Sequence, residues 1–430
     1  MTKVDDIGRF WLASDPDNKV HGALTFDPDS GGRLRLDGIL GGPQLKDEDD
    51  NQRILGETNG TGYTLNHCQE LNRNLHIGTE PRSGVSTWSV GEIYQNVWFG
   101  PEDDLSFDAL SADLEDMTSW IDESGITSSG LQRDGGALGE NVKAVLLNPC
   151  QRETDIGTIT ITHSIGASNS LPRDYTVQQT RGFRINTDGL TSKEDLLEIA
   201  SDIQDIVSIG INRLSAFIKV QFGHPEGVRA IGDETSRVAI DFYTRWRVTA
   251  GAHAEPPKSI AFTYKDIGGL DGLADWLALA AQHRKVLGRI MATRQPGGMF
   301  SEDRLLNCVA AAEGLYRALV DPPRKEEPSL HTMLIHLTQL AGPQFEEAVI
   351  DPVLWSEFLK EERNEISHNF NRRPSSNVDH YWHMADSVYW MIILCLLSQM
   401  PTAQPAIDRT IYSQPFRWMM IDLAKTMRSL

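Results

Sequence analysis

Apolar and polar residues alternate in short runs through the first 190 residues of the chain. Four such runs are Gly22–Phe26, Arg33–Ile39, Ser86–Tyr94 and Thr158–His163. Clusters rich in Gly, Asn, Asp and Pro separate them, as at residues 27–32. Alternation with a period of two is typical of strands that bury one face. The pattern therefore predicts a β-rich region, arranged as a sandwich or a barrel-like sheet.

One helix and two further strands are predicted after this region. Apolar residues recur at helical spacing within residues 192–222, and Thr191 or Ser192 offers an N-cap. Strand-like runs follow at Arg237–Tyr243 and Lys258–Tyr264.

From Gly272 onwards the spacing of apolar residues is helical. Several helices joined by short, Pro-bearing loops pack as a bundle. The sequence thus predicts an α+β multidomain protein, with a β-rich domain over residues 1–285 and an all-α bundle over residues 286–430. The predicted helices cover about 273–290, 301–319, 329–341, 344–370 with a break at Pro352, 378–400 and 413–428.

The net charge of the chain argues against one class of protein. The 430 residues carry a formal net charge of −20, which argues against a protein that coats nucleic acid, since phosphate binding depends on Lys and Arg. From Ile290 onwards, the chain has 13 Lys and Arg residues and 17 Asp and Glu residues, which gives a net charge of only −4. This part can still form a local basic cleft, for which Arg363, Arg372 and Arg373 are the candidate RNA-binding residues.

Localisation is predicted to be cytoplasmic. The chain starts without the basic and apolar segments of a signal peptide, and its most apolar run, Val388–Leu397, is too short to span a bilayer. The four cysteines form no CxxC pair, so we expect reduced, buried thiols and neither a metal nor a cofactor. His380 and His383 lie one helical turn apart, but packing or capping explains them better than metal binding.

The segment that follows Asp351 carries the candidate chemistry. Asp351 can cap a helix that has Pro352 at its first position. On a helical wheel, Trp355, Leu359, Ile366 and Phe370 fall within an arc of about 60°, which predicts the buried face. The residues of a separate polar arc include Lys360, Arg363, Asn364, Ser367, His368 and Asn371.

The polar arc offers the groups that RNA cleavage without a metal requires. His368 has the ordinary pKa of a general acid or base, and the planar guanidinium of Arg363 suits the extra negative charge of a phosphorane. The alternative is a solvated helix face, with Arg363 paired to Glu361, Glu362 or Glu365. For Glu313 there are two interpretations: it orients Arg363 across the bundle, or it is an ordinary exposed glutamate, which is what we expect.

Arg363, Asn364 and His368 resemble the Arg-polar-x(3)-His motif of HEPN domains. Residues 355–369 resemble the motif helix of the ApeA-like HEPN proteins of bacterial antiphage defence. The resemblance extends to the N-terminal region, where it rests on Gly8–Trp11, His21–Leu24, Arg33–Gly38 and Thr58–Leu65.

This resemblance implies a metal-independent endoribonuclease that acts in abortive infection as a homodimer on RNA, with tRNA as one candidate substrate. His368 would then be the general acid or base, Arg363 would stabilise the transition state, and Asn364 would position the phosphate. The β-rich domain would sense a phage-derived trigger or restrain the nuclease. The alternative is a HEPN bundle that only binds a nucleotide or a partner, next to a sensor domain.

Arg363 and His368 lie about 140° apart on the wheel. A single helix is therefore poorly placed to hold one phosphate with both side chains. Two facing helices remove this difficulty, so the sequence predicts a composite site in a dimer.

Overall fold

The computed structural model describes residues 3–41, 52–75, 84–132, 138–170, 174–225, 227–231, 234–246, 251, 257–295, 299–320, 328–368 and 378–429. The strands of this part of the chain are β1 Val4–Leu12, β2 Val20–Asp27, β3 Gly31–Leu36, β4 Gln52–Thr58, β5 Thr61–Leu75, β6 Gly84–Gln95, β7 Ser106–Leu114, β8 Ile126–Gln132, β9 Leu138–Ala144, β10 Cys150–Thr154, β11 Gly157–Ser170, β12 Asp174–Ser192, β13 Phe217–Gly223, β14 Val228–Ile231, β15 Glu234–Arg237 and β16 Ile240–Thr244. The helices are α1 Met117–Ile121, α2 Lys193–Gly210, α3 Leu270–Ala292, α4 Ser301–Val320, α5 Leu330–Ala341, α6 Pro343–Ala348, α7 Pro352–His368, α8 Val378–Leu397, α9 Gln404–Tyr412 and α10 Gln414–Met427.

The chain packs into two compact units. The sheet unit comprises residues 1–115, 146–200 and 216–253, and the helical unit comprises residues 116–145, 201–215 and 254–430. Both units are discontinuous in sequence, whereas the predicted domains, 1–285 and 286–430, are contiguous. That division stays a prediction.

Six strands of the sheet unit close on themselves. They follow the order β6-β3-β2-β1-β4-β5, and β5 pairs again with β6. Buried residues alternate with more exposed ones along β2, β3 and the first part of β6, as the period of two predicts. Of the two arrangements that the sequence predicted, the barrel-like one is therefore observed. The interior is one cluster of buried side chains, among them Phe10, Leu24, Phe26, Leu34, Ile54, Tyr63, Leu65, Trp88 and Ile93.

The same sheet continues from β6 through β16, β13, β7, β12 and β11 to β10. β10 is the end strand of this order, and its first residue, Cys150, is exposed. The expectation that all four cysteines are buried was therefore wrong for Cys150, because an end strand has a neighbour on one side alone. Cys68, Cys308 and Cys395 are buried and free.

Three predicted elements differ in the structure. The strand predicted at Arg237–Tyr243 is divided, since β15 ends at Arg237 and β16 begins at Ile240. α2 begins as expected, with the hydroxyl of Ser192 accepting a hydrogen bond from the Asp195 amide at 3.1 Å. It ends at Gly210 instead of near residue 222, because Asn212 adopts a φ of 53°, a left-handed conformation that stops a helix. The chain then enters strand β13.

Residues 258–264 were predicted as a strand and form turns and bends instead. Their backbone groups find partners outside any sheet. The Ala261 amide donates to the carbonyl of Gly210 at 2.7 Å, and the Tyr264 amide donates to that of Trp120 at 3.0 Å. Ala261 and Phe262 are fully buried, which explains the apolar pattern without a strand.

From residue 270 onwards the helices follow the sequence prediction, except that α9 Gln404–Tyr412 was not predicted. α8 contacts α4, α5, α9 and α10, and its apolar run, Val388–Leu397, is buried throughout. No helix in the described residues is long and apolar enough to cross a membrane. The α+β architecture, a β-rich N-terminal region followed by helices from residue 270, is thus confirmed.

Candidate active site

Helix α7 carries the predicted motif, and its start is fixed by its own sequence. One carboxylate oxygen of Asp351 accepts hydrogen bonds from the amides of Val353 and Leu354, each at 3.0 Å. Pro352 occupies the first helical position, where it has no amide to satisfy. The predicted cap is therefore confirmed.

The buried face of α7 holds the helix against its neighbours. Trp355 and Leu359 are fully buried, and the Trp355 indole donates to the Ser387 hydroxyl of α8 at 3.0 Å. Glu362 is also buried, which the wheel did not predict, and it accepts a hydrogen bond from the Tyr381 hydroxyl at 2.8 Å. Ile366 is only half-buried. Phe370 lies outside the described residues.

Arg363 points away from this buried face and is held by a carboxylate of α4. Its Nη2 lies 3.3 Å from Oε1 of Glu313, and its side chain is 37% exposed. The other oxygen of Glu313 lies 3.3 Å from Arg317. Because the Glu313 side chain is only 12% exposed, the expectation of an ordinary exposed glutamate was wrong. The carboxylate instead fixes the direction of Arg363.

Asn364 is the exposed neighbour of Arg363. Its carbonyl oxygen accepts a hydrogen bond from Nη1 of Arg363 at 3.3 Å. One guanidinium thus contacts both Glu313 and Asn364 and still presents part of its surface to solvent.

His368 is the last residue of α7, and the helix is continuous from Pro352 to this position. The rotation of about 140° between Arg363 and His368 therefore applies to the folded protein. The side chain of His368, and Asn371, Arg372 and Arg373 as a whole, lie outside the described residues.

The histidines of α8 pack against the C-terminal helix. Nδ1 of His383 lies 2.9 Å from the Thr426 hydroxyl, and Nε2 of His380 lies 3.3 Å from the Ser429 hydroxyl. Nowhere in the described residues do three His, Cys, Asp or Glu side chains group as metal ligands.

Sequence reasoning missed a partly buried charge cluster in the helical unit. Arg294 and Arg304 both lie 3.2 Å from Oδ1 of Asp386. The guanidinium of Arg294 also stands 3.9 Å from the ring centre of Tyr389. One signal was present: Arg304 falls on the apolar stripe that continues to Cys308 and residues 311 and 315.

The comparisons with known proteins bear on the sheet-rich part of the chain. The family model for ApeA N-terminal domain 1 matches residues 7–271, more than half of the chain. A search of curated proteins gave no match, and neither did a search of solved structures. The matched residues include the stretches near the N-terminus on which the predicted resemblance rests. The chain belongs to the ApeA family of antiphage defence proteins.

Proposed function

We propose that this protein is a metal-independent endoribonuclease of HEPN type that cleaves RNA, with tRNA as one candidate, during antiphage defence. The observation that carries the proposal is the Arg363 guanidinium, which pairs with Glu313 of α4 at 3.3 Å while its side chain stays 37% exposed. A planar cation in a fixed direction is suited to a phosphorane.

His368 supplies the proton chemistry in this proposal. It removes the proton of a ribose 2′-hydroxyl or protonates the leaving 5′-oxygen, so that the product is a 2′,3′-cyclic phosphate. Asn364 orients the phosphate beside Arg363. The rotation of about 140° between Arg363 and His368 is the reason that we assign the two groups of one reaction to two protomers.

Glu313 acts through Arg363 and is a positioning residue. Its carboxylate neutralises part of the charge of Arg363 and Arg317, and it keeps one guanidinium directed outwards. Without it, Arg363 would sample more rotamers, each of which lowers the fraction of molecules ready for reaction.

The test is RNA cleavage by the full chain in the presence of EDTA. Arg363→Ala and His368→Ala should each reduce cleavage by at least ~100-fold, which is typical for the loss of an acid, a base or a transition-state donor. Arg363→Lys should also be strongly impaired, because an ammonium group lacks the planar fork.

Arg409→Ala is the matched control. Arg409 is 44% exposed and pairs with Asp266 at 2.8 Å, an ion pair similar to that of Arg363 but carried by α9. Cleavage should remain at the wild-type rate in this variant. Full activity of both Arg363→Ala and His368→Ala, with folding intact, would refute the proposal and favour a HEPN bundle that only binds.

A further inference from the structure

A small pocket in the helical unit has the composition of a nucleotide site. It has a volume of about 190 Å³, below the roughly 300–1,000 Å³ of pockets that enclose drug-sized ligands. It therefore has room for one planar ring system, with the rest of the ligand outside. Its main lining residues are Asn212, Arg294, Trp382, Asp386, Trp390 and Trp418.

Two of the three tryptophans that form the aromatic walls of the pocket are exposed to solvent. Trp382 and Trp418 are 50% and 54% exposed, whereas Trp390 is fully buried. The guanidinium carbon of Arg304 lies 3.6 Å from the ring centre of Trp382, so it covers one face of that ring and holds it in place. An exposed indole held in this way can serve as a platform on which a base stacks.

Among the described residues, the charge next to these walls is not balanced. Arg294 and Arg304 share the carboxylate of Asp386. Nε and Nη1 of Arg304 have no hydrogen-bond partner in this part of the chain, although the side chain is almost completely buried. Asp422 also lines the pocket but pairs with Lys425 at 2.7 Å. The cluster therefore keeps a surplus positive charge that an anionic ligand can offset.

The polar groups at the pocket match the edge of a base. Arg294 offers donors, Asp386 offers acceptors, and Asn212 accepts from Arg294 at 3.1 Å through its Oδ1.

The helix that carries Trp382 also contacts the helix of the candidate active site. Tyr381, the neighbour of Trp382 on α8, donates a hydrogen bond to Glu362, the neighbour of Arg363 on α7.

We propose that this pocket binds the base of a nucleotide, which stacks on Trp382 and Trp418 while the Arg294–Asp386 pair contacts its edge. The base comes from the RNA substrate or from a free mononucleotide. The first source rests on the proposed ribonuclease function, and the second does not.

The test measures binding by the full chain to two probes. One is a fluorescent single-stranded RNA octamer with 2′-O-methyl groups, which cannot be cleaved through its 2′-oxygens, and the other is the set of four nucleoside monophosphates. Trp418→Ala should weaken binding of at least one probe by ~10-fold or more, the usual effect of removing one stacking partner. Trp418→Phe should restore most of the affinity.

The control is Tyr412→Ala, which removes an aromatic ring that is 69% exposed on α9 and does not line the pocket. It should bind both probes as the wild type does. If Trp418→Ala loses affinity for the octamer, RNA is the source of the bound base. If it loses affinity for the monophosphates alone, the ligand is a free nucleotide. Equal affinity of Trp418→Ala and the wild type for every probe would overturn the proposal that this pocket binds a base.

Arg363→Ala separates this inference from the proposed function. It should lose cleavage and keep Trp418-dependent binding, because Arg363 does not line the pocket. A wild-type protein that binds nucleotides but never cleaves RNA would refute the nuclease alone.

Discussion

Two charged clusters, one in each unit, are arranged differently. In the sheet unit, Lys193 lies 2.7 Å from Glu92 and 3.0 Å from the exposed Glu194, and the hydroxyl of Tyr94 donates a hydrogen bond to Glu92. In the helical unit, Arg294 and Arg304 compete for Asp386. A matched pair loses stability when either partner is removed, whereas a surplus charge is itself a cost to the fold. We therefore expect the first arrangement to contribute to stability and the second to contribute little.

Lys193→Met should have the largest effect on stability. It leaves Glu92 buried without its cation, and the free energy of unfolding should fall by about 3–5 kcal/mol. Urea unfolding followed by circular dichroism measures this change. A loss below about 1 kcal/mol would mean that the buried Glu92 carboxylate does not depend on Lys193.

Asp205→Asn should have an effect that depends on pH. Burial and, secondly, the like charge of Asp202 raise the pKa of Asp205 from 3.8 to about 8. The unfolded chain therefore releases this proton near pH 3.8, while the folded chain keeps it until about pH 8. The stability that the protonated group provides is full below the lower value and is lost as the pH rises to the upper one.

An asparagine at this position cannot ionise, so its advantage over the wild type should grow between about pH 5 and about pH 8. Thermal unfolding of both proteins at several pH values follows the difference. A difference that stays constant with pH would show that Asp205 is not protonated in the fold.

Arg304→Met should have the smallest effect on stability. The change removes a buried charge, fills a similar volume, and leaves Asp386 paired with Arg294. The free energy of unfolding should change by less than about 1 kcal/mol. A loss of free energy of unfolding as large as that of Lys193→Met would show that both charged clusters contribute to stability in the same way.

The features that the sequence predicted best are local. The cap at Asp351, the start of α2 at Ser192 and the helical spacing of α7 each depend on residues within one or two turns. The end of α2 was missed because the left-handed Asn212, followed by a strand, interrupts an apolar pattern that continues past it.

The features that it missed are non-local. Arg294, Arg304 and Asp386 lie on or next to three different helices, and their ion pairs join residues 82 or more positions apart along the chain. Glu313 was considered as a partner of Arg363 from the sequence, but its burial was not predicted, since the two residues lie on different helices. No periodicity within a single segment reveals such pairs. The family match likewise covers residues 7–271 and so ends before α4, α7 and α8.

We propose that two α7 helices form a composite ribonuclease site. The most direct test is a heterodimer of one Arg363→Ala chain and one His368→Ala chain, purified through two different tags and assayed for RNA cleavage in EDTA. In a two-fold symmetric dimer, one of the two sites then keeps both wild-type groups, so activity should recover to about half of the wild-type rate. A heterodimer as inactive as either single variant would contradict the composite site.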